Sequence, residues 1–224
     1  MRSVKRLAAL AALLVGMTWT GADLGLGAQS APRPATVMVL DLDGNGFALT
    51  SKEDGVLFDL EGNGSARRVG WTAKNSDDAF LAFDLNKNRT IDGVGELVGS
   101  RMRLPDGATP TSGADAMNLN LQGIKVGPDG RLVNGLPEGA SLVDARDSFF
   151  AQLMLWQDRN HNGTATPDEV RTLTEASVTT IRNGYQRSTV VDEHGNRQRL
   201  RGTFTLKLRG MDFERVIVEM EMVR

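Results

Sequence analysis

Residues 148–173 read SFFAQLMLWQDRNHNGTATPDEVRTL, and the fold turns on how this stretch is read. Its centre, 158–169, has the form of a twelve-residue loop. Asp158, Asn160, Asn162 and Gly163 fill positions 1, 3, 5 and 6; Thr164 fills 7 and Glu169 fills 12. A hard cation such as Ca²⁺ takes roughly six to eight oxygens, and alternate residues of a tight loop turn short oxygen-bearing side chains inward. Glycine at 6 allows the sharp turn, Thr164 offers its carbonyl, and the final Glu closes the site with two oxygens. Upstream, Phe149, Leu153 and Trp156 are spaced for one helical face. Downstream, Pro167, Asp168 and Glu169 suit a first helical turn that Val170 and Leu173 continue. The spacing predicts helix, loop and helix over 148–176, the EF-hand arrangement. The competing reading is a solvated Asn/Gly turn.

The same device recurs upstream, over 36–98. VMVLDLDGNGF, VLFDLEGNGS and FLAFDLNKNRT each join a short apolar run to an Asp and an alternating polar loop. The leading aspartates are Asp41, Asp59, Asp84 and Asp158, at irregular spacing, so the chain is not a solenoid. Asp41, Asp43 and Asn45 form the first candidate ligand set, and Asp59, Glu61 and Asn63 the second. Lys52 and Gly70 stand at their twelfth positions, and β-formers precede both. They read as strand–loop units that share ligands or a metal, or as plain hairpin turns. The third set is fuller: Asp84, Asn86, Asn88, Thr90 and Asp92, with Glu96 one residue late. Arg89 stands at its sixth position and must adopt positive φ there, a costly conformation for a residue other than glycine.

The remaining segments carry less chemistry. MRSVKR followed by an apolar run of about a dozen residues reads as an export leader over 1–30, too short for a spanning helix, with an uncleaved membrane anchor as the competing reading. Cleavage after Ala22, Ala28 or Ser30 fits, and a flexible entry segment follows at 31–35. Residues 99–147 are irregular and rich in Gly and Pro. Within them, 136–147 keeps Glu138, Asp144 and Asp147 in loop register but has Leu136 and Ala140 where oxygens are needed. Residues 177–224 alternate as antiparallel strands (Phe204, Leu206, Leu208; Val216, Val218, Met220, Met222), with turns at 192–196 and 209–212. The chain has no Cys and a formal net charge of −2, which points away from disulfides and nucleic-acid binding. Acid concentrates where the loops are: residues 36–100 hold eleven acidic and six basic side chains. The predicted fold class is α+β, with antiparallel strands and short helices flanking EF-hand-like loops.

LDLDGNGFALTSKEDGVLFDLEGNG (40–64), GWTAKNSDDAFLAFDLNKN (70–88), GELVGS (95–100), FFAQLMLWQDRNHNG (149–163) and DEHGNRQRLRG (192–202) together resemble a calcium-binding module of bacterial exported proteins. It occurs in hemolysin-type (RTX-associated), VCBS-repeat and EF-hand surface proteins. The resemblance implies Ca²⁺ at the Asp41, Asp59, Asp84 and Asp158 loops. The chain departs from the pattern at Arg89, where glycine is usual, and at the broken loop 136–147.

No enzyme motif emerges. His161 and His194 lie in polar turns, and the chain lacks a Cys nucleophile, G-x-S-x-G, a phosphate loop and H-E-x-x-H. The acids fit cation registers better than a hydrolytic carboxylate pair. Trp71 and Trp156 read as core residues in preference to sugar-stacking ones. The expectation is a secreted or periplasmic, non-enzymatic Ca²⁺-binding protein in which calcium stabilises the fold. Two other readings stay open: an envelope adhesion module with an extracellular protein or polysaccharide partner, and a small hydrolase.

Overall fold

A computed structural model describes residues 33–104, 107–108, 110–121, 125–126, 132–133, 142–147 and 149–224. The leader, residues 31–32 of the entry segment and residues 136–141 of the broken loop lie outside them. Four short strands come first: β1 (Val37–Leu40), β2 (Val56–Phe58), β3 (Arg67–Val69) and β4 (Ala79–Phe83). Helix α1 (Gly113–Leu121) follows, then β5 (Lys125–Val126), β6 (Leu132–Val133) and β7 (Leu142–Asp144). After these come β8 (Leu153–Trp156), β9 (Val170–Thr172), β10 (Val178–Arg182) and β11 (Gln186–Arg187). The long hairpin of β12 (Arg197–Leu208) and β13 (Met211–Glu221) ends the chain.

Nine strands form one antiparallel sheet in the order β7-β10-β12-β13-β1-β4-β8-β9, with β11 on β12. The pairs β2–β3 and β5–β6 make separate ribbons. The sheet curls into a half-barrel, and among the described residues strand far outweighs helix. The α+β expectation is therefore wrong, and its error lies where the reading began. Phe150–Gln152 makes only a short 3₁₀ turn. Leu153–Trp156 is a strand buried on both faces, paired with β4 on one side and β9 on the other. An unbroken apolar run of four residues carries no period, so a strand buried on both faces and a buried helix spell it alike. Downstream, Val170–Thr172 is likewise a strand, with Trp156 opposite Val170. The central loop thus joins two adjacent antiparallel strands, and no helix flanks it.

Elsewhere the two-residue period holds. Met38, Leu40, Leu81, Phe83, Leu153, Leu155 and Ile217 face one core, together with Met117 of α1. Val37, Val39, Phe80, Met154, Trp156, Val218 and Met220 face the other. The second core holds an aromatic cluster, with Trp71 4.4 Å from Phe80, 4.8 Å from Phe58 and 5.6 Å from Trp156 between ring centroids. Burying rings of this size supplies much of the driving force, on the order of 2–3 kcal/mol each. Trp71 and Trp156 are fully buried and present no face to a sugar. The β12–β13 hairpin and its turn at Arg209–Gly210 match the antiparallel strands read from sequence, but Leu208 is exposed and Ile217–Met220 are buried on both faces. Among the described residues, no helix is long and apolar enough to cross a membrane.

One close approach fixes how the N-terminal strand joins the rest. Gly99 bridges Val37, and a Cβ there would lie 1.9 Å from the Thr36 carbonyl oxygen. At Gly113 a Cβ would clash with the Met38 side chain alone, at 2.4 Å, and lie in ordinary contact with the Val98 carbonyl oxygen at 3.5 Å. Gly99→Ala is expected to cost about 2–3 kcal/mol in urea denaturation and Gly113→Ala about 1 kcal/mol or less. Equal costs would show that Met38 cannot yield.

Candidate metal centre

The four Asp-led loops share one backbone. Positions 4 and 6 have positive φ in every copy: Gly44 and Gly46, Gly62 and Gly64, Lys87 and Arg89, His161 and Gly163. Arg89 does take the left-handed conformation its position demands, at φ 61. The cause is common to all four. The leading aspartate receives the N–H groups of positions 5 and 6: Asn45 and Gly46 on Asp41, Asn63 and Gly64 on Asp59, Asn88 and Arg89 on Asp84, Asn162 and Gly163 on Asp158. Successive N–H groups can converge on one carboxylate only when the chain coils this tightly. Asp158 also accepts the indole N–H of Trp71 at 2.9 Å, which ties this loop to the aromatic core.

Two loops are closed by a glutamate of their own. Glu169 accepts the backbone N–H and side-chain amide of Asn160 through Oε1, and the N–H and hydroxyl of Thr166 through Oε2. Glu96 accepts the N–H of Leu85 through Oε1 and that of Asp92 through Oε2. Both thus clamp positions 2–3 to position 9, so the late placement of Glu96 does not prevent closure. Asp158, Glu169, Asp84 and Glu96 are all buried. Within the third loop, Asn86 and Asn88 donate their amides to Asp92 at 2.6 and 2.9 Å. Thr90 donates to the Ala165 carbonyl, joining the third loop to the fourth. Asn86, Asp92, Glu96 and Gly163 line one cleft of about 700 Å³ with Asp59.

The first two loops differ. In the second, Glu61 is ion-paired with Arg101 at 2.7 Å and with Arg224, so guanidinium groups already neutralise its acid. In the first, the closing carboxylates come from residues that the sequence reading did not single out. Asp77 accepts the N–H of Asp43 at 2.8 Å and the amide of Asn45 at 3.0 Å; Asp78 accepts the N–H of Ala48 at 2.7 Å. One carboxylate oxygen from each of Asp41, Asp77 and Asp78 lies within 4.8 Å of the others. The available signal was an Asp pair set directly before an apolar strand. At the broken loop, Asp144 pairs with Arg146 and accepts its backbone N–H, while Asp147 accepts the N–H of Asp144. His161 spans the carbonyls of Thr72 and Asp54 at 2.8 Å each, and His194 lies 3.7 Å from Glu193. Neither histidine is set beside a nucleophile.

A profile of the SPM domain matches residues 38–122 and 136–211. The chain belongs to the SPM domain family. It is also 30% identical over 170 residues to the iron-regulated protein FrpA of Neisseria meningitidis serogroup C. That alignment covers 75% of this chain and 14% of FrpA, so the chain spans a small part of its relative's length. The SPM match takes in all four loops and both residues of the Asp77–Asp78 pair.

Asp78 carries the clearest electrostatic cost in this SPM domain. Burial pushes its pKa up to about 7 against the Ala48 hydrogen bond, with Asp77 and Asp41 adding repulsion. A raised carboxyl pKa means that the native state holds a proton the unfolded chain has released. The associated stability is full below about pH 4 and is lost as pH rises to about 7. In chelator, unfolding free energy should fall across that window by on the order of 2–4 kcal/mol. Asp78→Asn should flatten the decline when denaturation midpoints are measured from pH 4 to 8.

Proposed function

We propose that this SPM domain is an exported calcium-binding domain whose ion sits in the 158–169 loop and stabilises the fold. One observation carries the reading. The β8–β9 hairpin brings buried Asp158 and Glu169, each 2% exposed, to opposite ends of one closed loop. Two buried carboxylates are expensive unless compensated, and N–H donors compensate them in part. A hard divalent cation would complete the compensation without nitrogen or sulfur ligands. Asp158, Asn162, the Thr164 carbonyl and Glu169 would supply oxygens. Asn160 now turns its amide N–H₂ toward Glu169. A half-turn about its last torsion presents the amide oxygen instead. The third loop, with Asp84, Asn86, Asn88, the Thr90 carbonyl, Asp92 and Glu96, is a second candidate of the same build.

The calcium would act as a staple. It joins the end of β8 to the start of β9 and, through Trp71 on Asp158, to the aromatic core. Extracellular modules of this chemistry work at roughly 10⁻⁴–10⁻³ M Ca²⁺, which suits an exported chain. The second loop is the weakest candidate, because a cation at Asp59, Glu61 and Asn63 must compete with Arg101 and Arg224 for Glu61.

Terbium tests the site directly. Excitation of tryptophan should sensitise Tb³⁺ emission, with Trp71→Phe and Glu169→Gln each removing most of it. Ca²⁺ at about ten times its Kd should raise wild-type stability by about 1.4 kcal/mol. Calorimetry of chelator-stripped protein should lose one equivalent of Ca²⁺ in Glu169→Gln. Unchanged stoichiometry in that variant would reduce the loop to a turn.

A further inference from the structure

Glu219 lies in β13 with Met38 opposite it on β1 and Leu200 opposite it on β12. That register sends its side chain to the face that carries the Met38 core, and the residue is only 2% exposed. A carboxyl group is a costly occupant of such a place. Its Oε1 accepts the hydroxyl of Thr36, the residue before β1, while its Oε2 is buried with no hydrogen-bond partner among the described residues. Arg199 of β12 attracts it, but that guanidinium is already paired with Glu221. Tyr185, between β10 and β11, stands near it and brings a second buried oxygen without a partner. Burial and the neighbouring Glu219 push the pKa of this phenol up, so it stays neutral.

Glu219 also meets the start of α1. Ser112 accepts the N–H of Asp115, and Asp115 reaches back to the N–H and hydroxyl of Thr111. The first turn of a helix leaves further N–H groups over, and here those of Gly113 and Ala114 act on Glu219. One side chain thus ties β13 to the segment leading into β1 and to α1, whose Ala116 and Met117 are buried in the same core. We propose that Glu219 is a pH-sensitive latch, which holds α1 against β1 and β13 while its carboxyl is protonated and loosens when it ionises. Burial favours the neutral acid and raises its pKa above the ordinary 4.5; Thr36, Gly113, Ala114 and Arg199 oppose burial without overcoming it. A folded-state pKa above the unfolded one contributes stability that is full below about pH 4.3 and is lost as pH rises through the folded value. Water reaches a newly charged Glu219 at least cost when α1, a helix of nine residues, lifts away. The other route would part β13 from β1 and β12, its neighbours in the sheet.

Native-state hydrogen exchange of the full chain in excess Ca²⁺ tests the latch, which does not rest on the calcium reading. Protection factors of the Ala116 and Met117 amides should be equal in wild type and Glu219→Gln at about pH 4. Above that, the ratio of variant to wild type should grow about tenfold per pH unit, the slope of one proton, until the folded carboxyl has ionised. Asp78 is present in both proteins and cancels in the ratio. Both α1 amides should also be protected at least about tenfold less than Leu155 of β8, and should exchange without sensitivity to low urea. A ratio that stays flat overturns the latch. Equal protection and equal urea dependence at the three amides would mean that α1 opens only with the whole fold, which also overturns it. A second measurement needs no variant. The ¹³C signal of the Glu219 carboxyl in wild type should titrate above the ordinary glutamate range, over the same interval in which α1 loses protection. Titration within or below that range overturns the proposal.

Discussion

Each of the four Asp-led loops begins with a carboxylate set into or against the core by the strand before it. Asp41 follows β1, Asp59 follows β2, Asp84 follows β4, and Asp158 stands one residue beyond β8. Three of the four are buried. A buried carboxylate left without donors would cost several kcal/mol, a large share of a typical domain's net stability. The chain meets this cost locally, by coiling so that the N–H groups of positions 5 and 6 turn back onto the aspartate. The left-handed residues at positions 4 and 6 are the geometric consequence, which is why glycine fills five of those eight places. Where Lys87, Arg89 and His161 stand instead, the backbone bears roughly 1–2 kcal/mol of strain per residue.

The strands that deliver these aspartates also decide where they meet. β1 and β8 flank β4 and run against it. The ends of β1 and β8 therefore lie at the same end of the sheet as the start of β4. Asp41, the Asp77–Asp78 turn and the fourth loop gather there: Gln157 donates to the Asp77 carbonyl, and Asn75 donates to that of Arg159. The third loop leaves β4 at the other end and reaches the fourth through Thr90 and Ala165. The repeats are irregular in sequence because they are not neighbours in a stack. Three of them follow strands of one curled sheet, and the second follows the separate β2–β3 ribbon.

Much of this was legible. The Asp-led registers, the strained conformation at Arg89 and the alternation of β12 and β13 follow from local rules that hold whatever the tertiary context. The strand identity of Leu153–Trp156 was not legible, because burial on both faces erases the period that separates strand from helix. Val170–Thr172 was misread for a related reason. Its acidic and proline-bearing prelude, Pro167 to Glu169, suits a helix start, whereas the structure uses Glu169 as a clamp on its own loop. The Asp77–Asp78 pair was visible only as two acids before an apolar strand; that it closes the first loop was illegible, because Asp41 lies about 36 residues away in sequence and is brought opposite only by strand register.

The loops also differ in how completely the protein compensates its own acids, and this separates turns from candidate sites. Glu61 has two arginines and Asp144 has Arg146, so those acids are matched by fixed cations. Asp158, Glu169, Asp84 and Glu96 are matched only by neutral N–H and O–H donors, which leave their formal charge uncancelled. Asp78 has a backbone N–H on one oxygen and no hydrogen-bond partner on the other. The fold thus cancels some acids with arginine and leaves others to dipoles, and the loop proposed above to hold calcium is among the latter. The same loop backbone, used four times, is therefore matched by fixed cations in one place and by dipoles alone in another.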